Sequence, residues 1–355
     1  MENICYYSDN KVNKKNYDFV DLIKLIFAIL ILMMHCSILK ENWFFTKLIV
    51  RLGVPFFFIA SGYFYGKKAL NSCTNLKSIT FGKNSSIRRL ALMLVVFEPI
   101  ALILYGIRYV YNGLSISDII INMIKHVFFY PPAALWYVQA LIVALILNYI
   151  LIKYNKIFLG IFLGLLLYFF ALICNNYYFI FANSNVDTIL IKYMDIFMTA
   201  RNGLFVGFLF VNLGIIISKY VDLLFKNKFI IYIFFIISFV LLIIEILLIN
   251  NRLYLDDMSL FLLTPITSFL LFVIAININV SIKGSIILRN LSTSIYLLHY
   301  IVMLCWQFLY SLLERIFNGF ESNLYIVFIS VCLSLVIFLF FVYKYKIKYI
   351  YKLII

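Results

Sequence analysis

The chain has 355 residues, of which 65% are hydrophobic and only 13% are charged, and its mean hydropathy is +1.04. A soluble domain of this length does not reach that hydrophobicity, so the composition predicts an all-α, polytopic transmembrane helical bundle. The net charge of +15 is typical of cytoplasmic loops in a membrane protein, and no nucleic-acid partner is expected. The six cysteines have no metal-binding spacing, so no metal site is expected.

Apolar runs of span length, separated by polar residues, predict about ten membrane spans. The runs lie at about 19–38, 46–65, 88–107, 134–152, 157–175, 202–218, 229–249, 259–277, 291–310 and 324–343. We therefore predict one transmembrane domain, 19–343, between a polar N-terminal segment, 1–18, and a basic tail, 344–355. The N-terminal segment does not have the pattern of a signal peptide, and none is expected.

Lysine and arginine residues in the loops predict the orientation of the bundle. If the N-terminus is cytoplasmic, the cytoplasmic segments hold twenty of these residues and the opposite segments hold seven. We therefore expect both termini in the cytoplasm and a multi-pass protein of the plasma membrane, with the lipid bilayer as its first partner. His35 would then lie in the outer half of its span.

The first predicted span carries ionisable residues in an otherwise apolar sequence. Lys24 and His35 are separated by ten apolar residues, and eleven helical steps bring the chain round by about three turns. Both side chains are therefore expected on one helix face, about 16 Å apart along the axis. Asp21 precedes Lys24 by three residues, close enough for an ion pair. Such buried charges predict a cavity or the bundle interior, unless Lys24 simply extends to the membrane surface.

Residues in later spans extend the candidate site. Arg51, before a Gly-Val-Pro sequence, either extends to the outer surface or faces the cavity of His35, and Tyr63 follows in Ser-Gly-Tyr. Trp136, at the start of the fourth span, is expected in the outer aromatic belt. His299 lies near the middle of the ninth span, and its side chain could either form a structural hydrogen bond to a neighbouring helix or have a functional role.

Three other sites with charged residues have competing interpretations. Arg88 and Arg89, before the third span, either follow the positive-inside rule or bind the phosphates of a cytosolic ligand. Glu98, beside a proline in that span, is expected to pair with a cation of a neighbouring span. Residues 115–129 are too short to span the membrane and predict an interfacial helix, with His126 at its surface.

Four stretches in chain order resemble the acyltransferase-3 family of integral-membrane acyltransferases. They are Asp21-Leu-Ile-Lys24 with His35 eleven residues after the lysine, VPFFFIASGYF, ALWYVQALIVA and STSIYLLHYIV. VPFFFIASGYF together with RNGLF also resembles the membrane domain of the serine racemases linked to vancomycin resistance. No racemase domain is expected in this chain.

The resemblance implies transfer of an acyl group, usually acetyl, from a cytosolic thioester such as acetyl-CoA to a hydroxyl of an extracytoplasmic glycan or cell-surface polymer. His35 matches the essential histidine of the family, and Lys24 matches its basic residue, which is usually arginine. The paired arginines of the family, often spaced Arg-x-x-Arg, correspond here only to the adjacent Arg88 and Arg89. No esterase-like domain is expected in the chain, so surface-polymer assembly proteins would be separate partners.

The chemistry of the candidate residues agrees with this resemblance. An uncharged imidazole is suited to taking the proton of the acceptor hydroxyl, so His35 is the predicted catalytic base. Donor binding is assigned to Lys24, Arg88 and Arg89, and a supporting role to Asp21, Arg51, Tyr63, Trp136 and His299. Two alternatives stay open: a proton-coupled transporter or flippase for an amino acid or lipid-linked sugar, and a non-catalytic membrane module of a surface-polymer complex.

Overall fold

The computed structural model describes residues 17–40, 42–71, 75–83, 85–250, 252–316 and 323–345. Every secondary-structure element in these ranges is a helix. The α-helices are α1 Asp18–His35, α2 Trp43–Leu48, α3 Gly53–Asn71, α4 Leu76–Phe81, α5 Ser86–Tyr111, α6 Ile116–Phe128, α7 Leu135–Lys153, α8 Ile157–Ile173, α9 Asp187–Phe197, α10 Phe208–Leu224, α11 Lys228–Ile249, α12 Thr264–Asn277, α13 Ser285–Ile316 and α14 Leu324–Tyr345. Most of the predicted segments 1–18 and 344–355 lies outside the described residues.

Seven helical stretches of the described chain are long and apolar enough to cross a membrane. They are Phe44–Leu70, Leu76–Tyr111, Leu135–Lys153, Gly203–Leu224, Lys228–Ile249, Ser285–Glu314 and Leu324–Tyr345. The helices α8 and α12 are apolar but shorter, and α1 has 18 residues with three charged side chains. Each predicted span contains one of these helices, whereas the number of spans and the orientation of the termini stay predictions.

Close packing of a few helices brings distant parts of the chain together. The helices α3 and α10 approach backbone to backbone, because a Cβ added to Gly62 or Gly214 would overlap a carbonyl oxygen of the opposite helix. The first helix, α1, packs along α13, which sets His35 beside His299. The site is therefore built where helices from both ends of the sequence meet.

The predicted span 259–277 is wrong at its start, because the helix begins only at Thr264. The preceding residues, the 255–263 segment, are held in a non-helical conformation by buried side chains. Asn175 Oδ1 accepts hydrogen bonds from two successive backbone amides of the segment, at 3.1 and 3.2 Å. The Glu245 carboxylate accepts two more at the segment's end, at 2.5 and 3.0 Å. These bonds satisfy backbone groups that would otherwise be unpaired before α12.

The second predicted span changes helical geometry near its Gly-Val-Pro sequence. After α2 the chain forms a 3₁₀ turn, Val50–Leu52, and α3 starts at Gly53. Pro55 therefore lies in the first turn of α3, where proline is well tolerated. This change of geometry lies beside the cavity, because both Arg51 and Pro55 are on its wall.

Candidate active site

A cavity of about 390 Å³ lies at the end of the bundle where α1 finishes. Helices α1, α5, α6, α7 and α13 contribute to its wall, as does the junction of α2 and α3. The connection between α6 and α7, the residues before α10 and the 255–263 segment complete the wall. These parts are far apart in the sequence, so the cavity exists only in the assembled bundle. We call this end of the molecule the cavity end.

Two histidines face each other in the cavity. The ring centroids of His35 and His299 are 5.2 Å apart. His299 is fully buried, and its Nδ1 hydrogen bonds to the carbonyl oxygens of Ile295 and Tyr296, at 2.7 and 3.0 Å. A carbonyl only accepts, so Nδ1 carries the proton and Nε2 is left as an acceptor. Among the described residues Nε2 has no hydrogen-bond partner.

His35 is the less constrained member of the pair. It is half-buried at the C-terminal end of α1 and forms no hydrogen bond with a described residue. Its ring stands edge-on to Tyr300, with centroids 5.1 Å apart. An imidazole with uncommitted nitrogens in a cavity can take up and return a proton. Among the described residues the pair therefore offers three unpaired imidazole nitrogens for acid–base chemistry, two on His35 and one on His299.

Two arginines and two aspartates, the rim quartet, form one ion-paired cluster beside the histidines. Arg51 Nη2 lies 2.7 Å from Asp257 Oδ2, and Arg201 Nη1 lies 3.1 Å from the same oxygen. Arg201 Nε also pairs with Asp256 Oδ2 at 3.2 Å. Burial alone would raise the pKa of Asp257, but the two guanidinium groups outweigh burial and hold that pKa well below its usual range. Arg51, Arg201 and Asp257 all line the cavity.

His126 is buried, so its predicted surface position is wrong. Its Nδ1 donates to the carbonyl oxygen of Tyr130 at 2.8 Å, and its Nε2 accepts from the hydroxyl of Tyr109 at 2.8 Å. Burial lowers the pKa of His126, an effect that the Tyr130 carbonyl partly offsets. Trp136 stacks on Tyr130, with centroids 5.7 Å apart, and lines the cavity wall.

Lys24 lies in the N-terminal half of α1, eleven residues before His35, and is not on the cavity wall. Its ammonium is 5.1 Å from the centroid of the Phe64 ring. The predicted ion pair between Asp21 and Lys24 is wrong, because Asp21 pairs instead with Arg289 of α13, at 2.7 Å from Nη2. Lys24 has no ion-pair partner in the described part of the chain. The single cavity expected for Lys24 and His35 is thus not the one observed.

The remaining candidate residues are not on the cavity wall. Arg88 and Arg89 are exposed in the first turn of α5, without an ion pair to a described residue. Tyr63 is buried and shares a hydrogen bond of 2.8 Å with the hydroxyl of Tyr17, at the start of α1. Glu98, midway along α5, forms no ion pair with a described residue, and its buried Oε1 has no hydrogen-bond partner among these residues, so the pairing predicted for it is not seen there.

Sequence reasoning missed Asp256 and Asp257. A count of lysine and arginine sets orientation and gives no weight to acidic residues. A signal is present, since two adjacent carboxylates stand directly before an apolar run. Their partners could not be predicted, because Arg51 is 206 residues from Asp257 in the sequence.

Comparison with known proteins identifies the family. The acyltransferase-3 family model, described as an acyltransferase domain, matches residues 17–343. An amino-acid racemase of Enterococcus faecalis is 30% identical over 217 residues, which cover 58% of this chain and 28% of that protein. A serine/alanine racemase of Enterococcus gallinarum is 26% identical over 264 residues, which cover 71% of this chain and 36% of that protein.

The match to the racemases is partial, since the aligned region spans about a third of the length of these relatives. No solved structure matches the chain. The family model, in contrast, covers most of the sequence and includes both histidines and the rim quartet. The chain therefore belongs to the acyltransferase-3 family of membrane acyltransferases.

Proposed function

We propose that this protein transfers an acyl group, acetyl in the first instance, from a cytosolic thioester such as acetyl-CoA to a hydroxyl of an extracytoplasmic glycan or cell-surface polymer. The supporting observation is the pair formed by His35 and His299 in one cavity of an acyltransferase-family chain. Acyl transfer to a hydroxyl requires a proton acceptor beside the reacting oxygen, and the pair supplies it.

His35 is the catalytic base in this proposal. It takes the proton of the acceptor hydroxyl while the hydroxyl oxygen attacks the thioester carbonyl carbon. The carbon–sulfur bond then breaks, and the leaving thiolate takes up the proton from His35, so that an ester and a free thiol are formed. His299 keeps its proton on Nδ1 and positions the reacting groups by accepting a hydrogen bond at Nε2.

The donor is bound away from the cavity end, beside the N-terminal half of α1 and the first turn of α5. Lys24, Arg88 and Arg89 have no ion pair with a described residue, so they are available to the phosphates of the donor. We place the donor-binding residues at the cytoplasmic face of the plasma membrane and the cavity end at its extracytoplasmic face, with both termini in the cytoplasm. Lys24 and His35 are about 16 Å apart along the axis of α1, so an extended thioester arm has to pass along the helix.

The proposal is tested with purified protein in nanodiscs and acetyl-CoA labelled in its acetyl group. We expect release of free thiol together with labelled ester on added cell-wall glycan, and loss of both in His35→Ala. Folded protein that cleaves no thioester and acylates no glycan contradicts the proposal. Uptake of an amino acid or sugar by proteoliposomes without thioester cleavage supports a transporter instead.

A further inference from the structure

Arg289, near the start of α13, is held along one edge by a buried carboxylate. Its Nε donates to both oxygens of Asp21, at 3.2 and 3.1 Å, and its Nη2 donates to Oδ2 at 2.7 Å. The Asp21 side chain is 2% exposed, whereas the Arg289 side chain is 51% exposed. The carboxylate therefore lies inside the bundle, and it fixes a guanidinium that extends outward where α1 packs along α13.

The outer edge of this guanidinium is uncommitted. A guanidinium has five N–H groups, and Asp21 accepts from that of Nε and from Nη2. Nη1 forms no hydrogen bond with a described residue. The edge formed by Nη1 and Nη2 matches two oxygens of one phosphate. Arg289 is therefore already oriented for an anion on its exposed side.

Two more cations lie beside Arg289. Lys24 follows Asp21 by three residues on α1, and it is within electrostatic range of both Arg289 and Arg89. Arg89 comes from the first turn of α5, a helix that also contacts α13. Neither Lys24 nor Arg89 has an ion pair with a described residue. Because like charges repel, three neighbouring cations with one shared carboxylate are stabilised by a bound anion. We call Lys24, Arg89 and Arg289 the basic cluster.

The other carboxylates of this region do not neutralise the basic cluster. Asp18, one turn before Asp21, is close to Arg289, and its Oδ2 accepts from a backbone amide at 2.9 Å. Asp222 of α10, near Tyr63, is exposed and forms no ion pair in the described chain. The excess of positive charge over these three carboxylates favours an anionic ligand. Five basic residues lie in the same region: Lys24, Lys67, Arg88, Arg89 and Arg289.

We infer that Arg289 is a further donor-binding residue, and that Asp21 positions it so that the basic cluster binds the phosphates of the donor. This inference rests on the proposed function, and it adds α13 to the helices that bind the donor. A guanidinium held at one edge loses little conformational freedom when a phosphate binds at the other. Arg289 should therefore contribute more to donor affinity than an unanchored surface cation does.

A role confined to joining α1 to α13 is distinguished from donor binding by two variants. Arg289→Gln removes the outer edge of the guanidinium and leaves the Asp21 carboxylate buried without its cation, which is destabilising. Adding Asp21→Asn to Arg289→Gln removes that buried charge as well. The melting temperature should then recover, whereas the phosphate contact is still missing.

The test is isothermal titration calorimetry of coenzyme A with protein in nanodiscs of uncharged lipid. We expect saturable binding to the unmodified protein, and binding about tenfold weaker or more both in Arg289→Gln and in the double variant. Lys228→Gln is the matched control, because Lys228 is exposed at the start of α11, lies in a loop predicted to be cytoplasmic, and has the same charge. It should change the dissociation constant by about twofold at most.

Affinity of the double variant equal to that of the unmodified protein overturns the inference, since Arg289 would then only join two helices. An equal loss of affinity in Lys228→Gln also overturns it, because overall charge would explain the effect. Absence of saturable coenzyme A binding by the unmodified protein does so as well.

Transfer of labelled acetyl groups to glycan is followed in the same samples, with acetyl-CoA and with acetyl-pantetheine, which has no phosphate. Coenzyme A binding that depends on Arg289, without transfer from either donor, contradicts the proposed transferase and leaves Arg289 as a phosphate-binding residue. Transfer from acetyl-pantetheine without coenzyme A binding overturns the inference and leaves the proposed transferase in place.

Discussion

Replacing His35 by alanine should abolish acyl transfer and leave the fold nearly unchanged. His35 forms no hydrogen bond with a described residue, and its ring contacts are those with His299 and Tyr300, at 5.2 and 5.1 Å between centroids. Losing such ring contacts costs about 0.5–1.5 kcal/mol each, a modest change in the free energy of unfolding. Losing a general base lowers the rate about 10²–10⁴-fold, which corresponds to about 2.7–5.5 kcal/mol of transition-state stabilisation.

The two effects are separated by measuring rate and stability on the same preparations. Initial rates of labelled ester formation are compared in membranes with equal amounts of protein, and unfolding is followed by thermal melting. Free imidazole should restore part of the activity of His35→Ala, because the cavity of about 390 Å³ has room for it. A residue with a purely structural role would show no such rescue. His299→Gln should lower stability more than His35→Ala, since His299 is fully buried and hydrogen-bonded.

Near-normal transfer by His35→Ala at matched protein levels would refute this reasoning. His35 would then be a structural residue. His299, whose Nε2 is unpaired among the described residues, would become the candidate base.

Other predictions concern the donor, the pH dependence and the topology. Glutamine at both Arg88 and Arg89 should raise the apparent Michaelis constant for acetyl-CoA more than it lowers turnover, because a phosphate contact acts mainly on binding; an unchanged donor dependence contradicts their role. Lys24→Arg should keep most of the transfer rate and Lys24→Ala should lose it, and equal rates would remove Lys24 from the site. Burial lowers the pKa of His126 in the folded chain, so below about pH 6.5 the unfolded chain binds a proton at this residue more readily than the folded chain does. Acid therefore lowers the free energy of unfolding. The melting temperature should therefore decrease as the pH is lowered from about 7 to about 5, and it should decrease less in His126→Gln. The same dependence of melting temperature on pH in both proteins would contradict this. Cys73 lies outside the described residues, and it should not react with a membrane-impermeant maleimide on intact cells, since its loop is predicted to be cytoplasmic; labelling there would reverse the proposed orientation.

The sequence by itself determined the class of the protein and the position of its helices. A chain with 65% hydrophobic residues has to satisfy its backbone hydrogen bonds within each apolar segment, and the helix is the structure that does so. The predicted spans therefore coincide with helices, apart from the start of the eighth. That start failed because four backbone amides of the mostly apolar residues 259–263 donate their hydrogen bonds to the side chains of Asn175 and Glu245 rather than to carbonyls of a helix.

Only the tertiary structure decided which charged and polar groups meet. Asp21 has a lysine three residues away, yet it pairs with Arg289 at a separation of 268 residues, because α13 packs along α1. A guanidinium presents several N–H groups to both oxygens of one carboxylate, and an ammonium does not have this geometry. The rim quartet and the histidine pair arise in the same way, from loops and helices that packing brings together. Local spacing governs neighbours on one helix, whereas these contacts depend on how separate helices pack against one another.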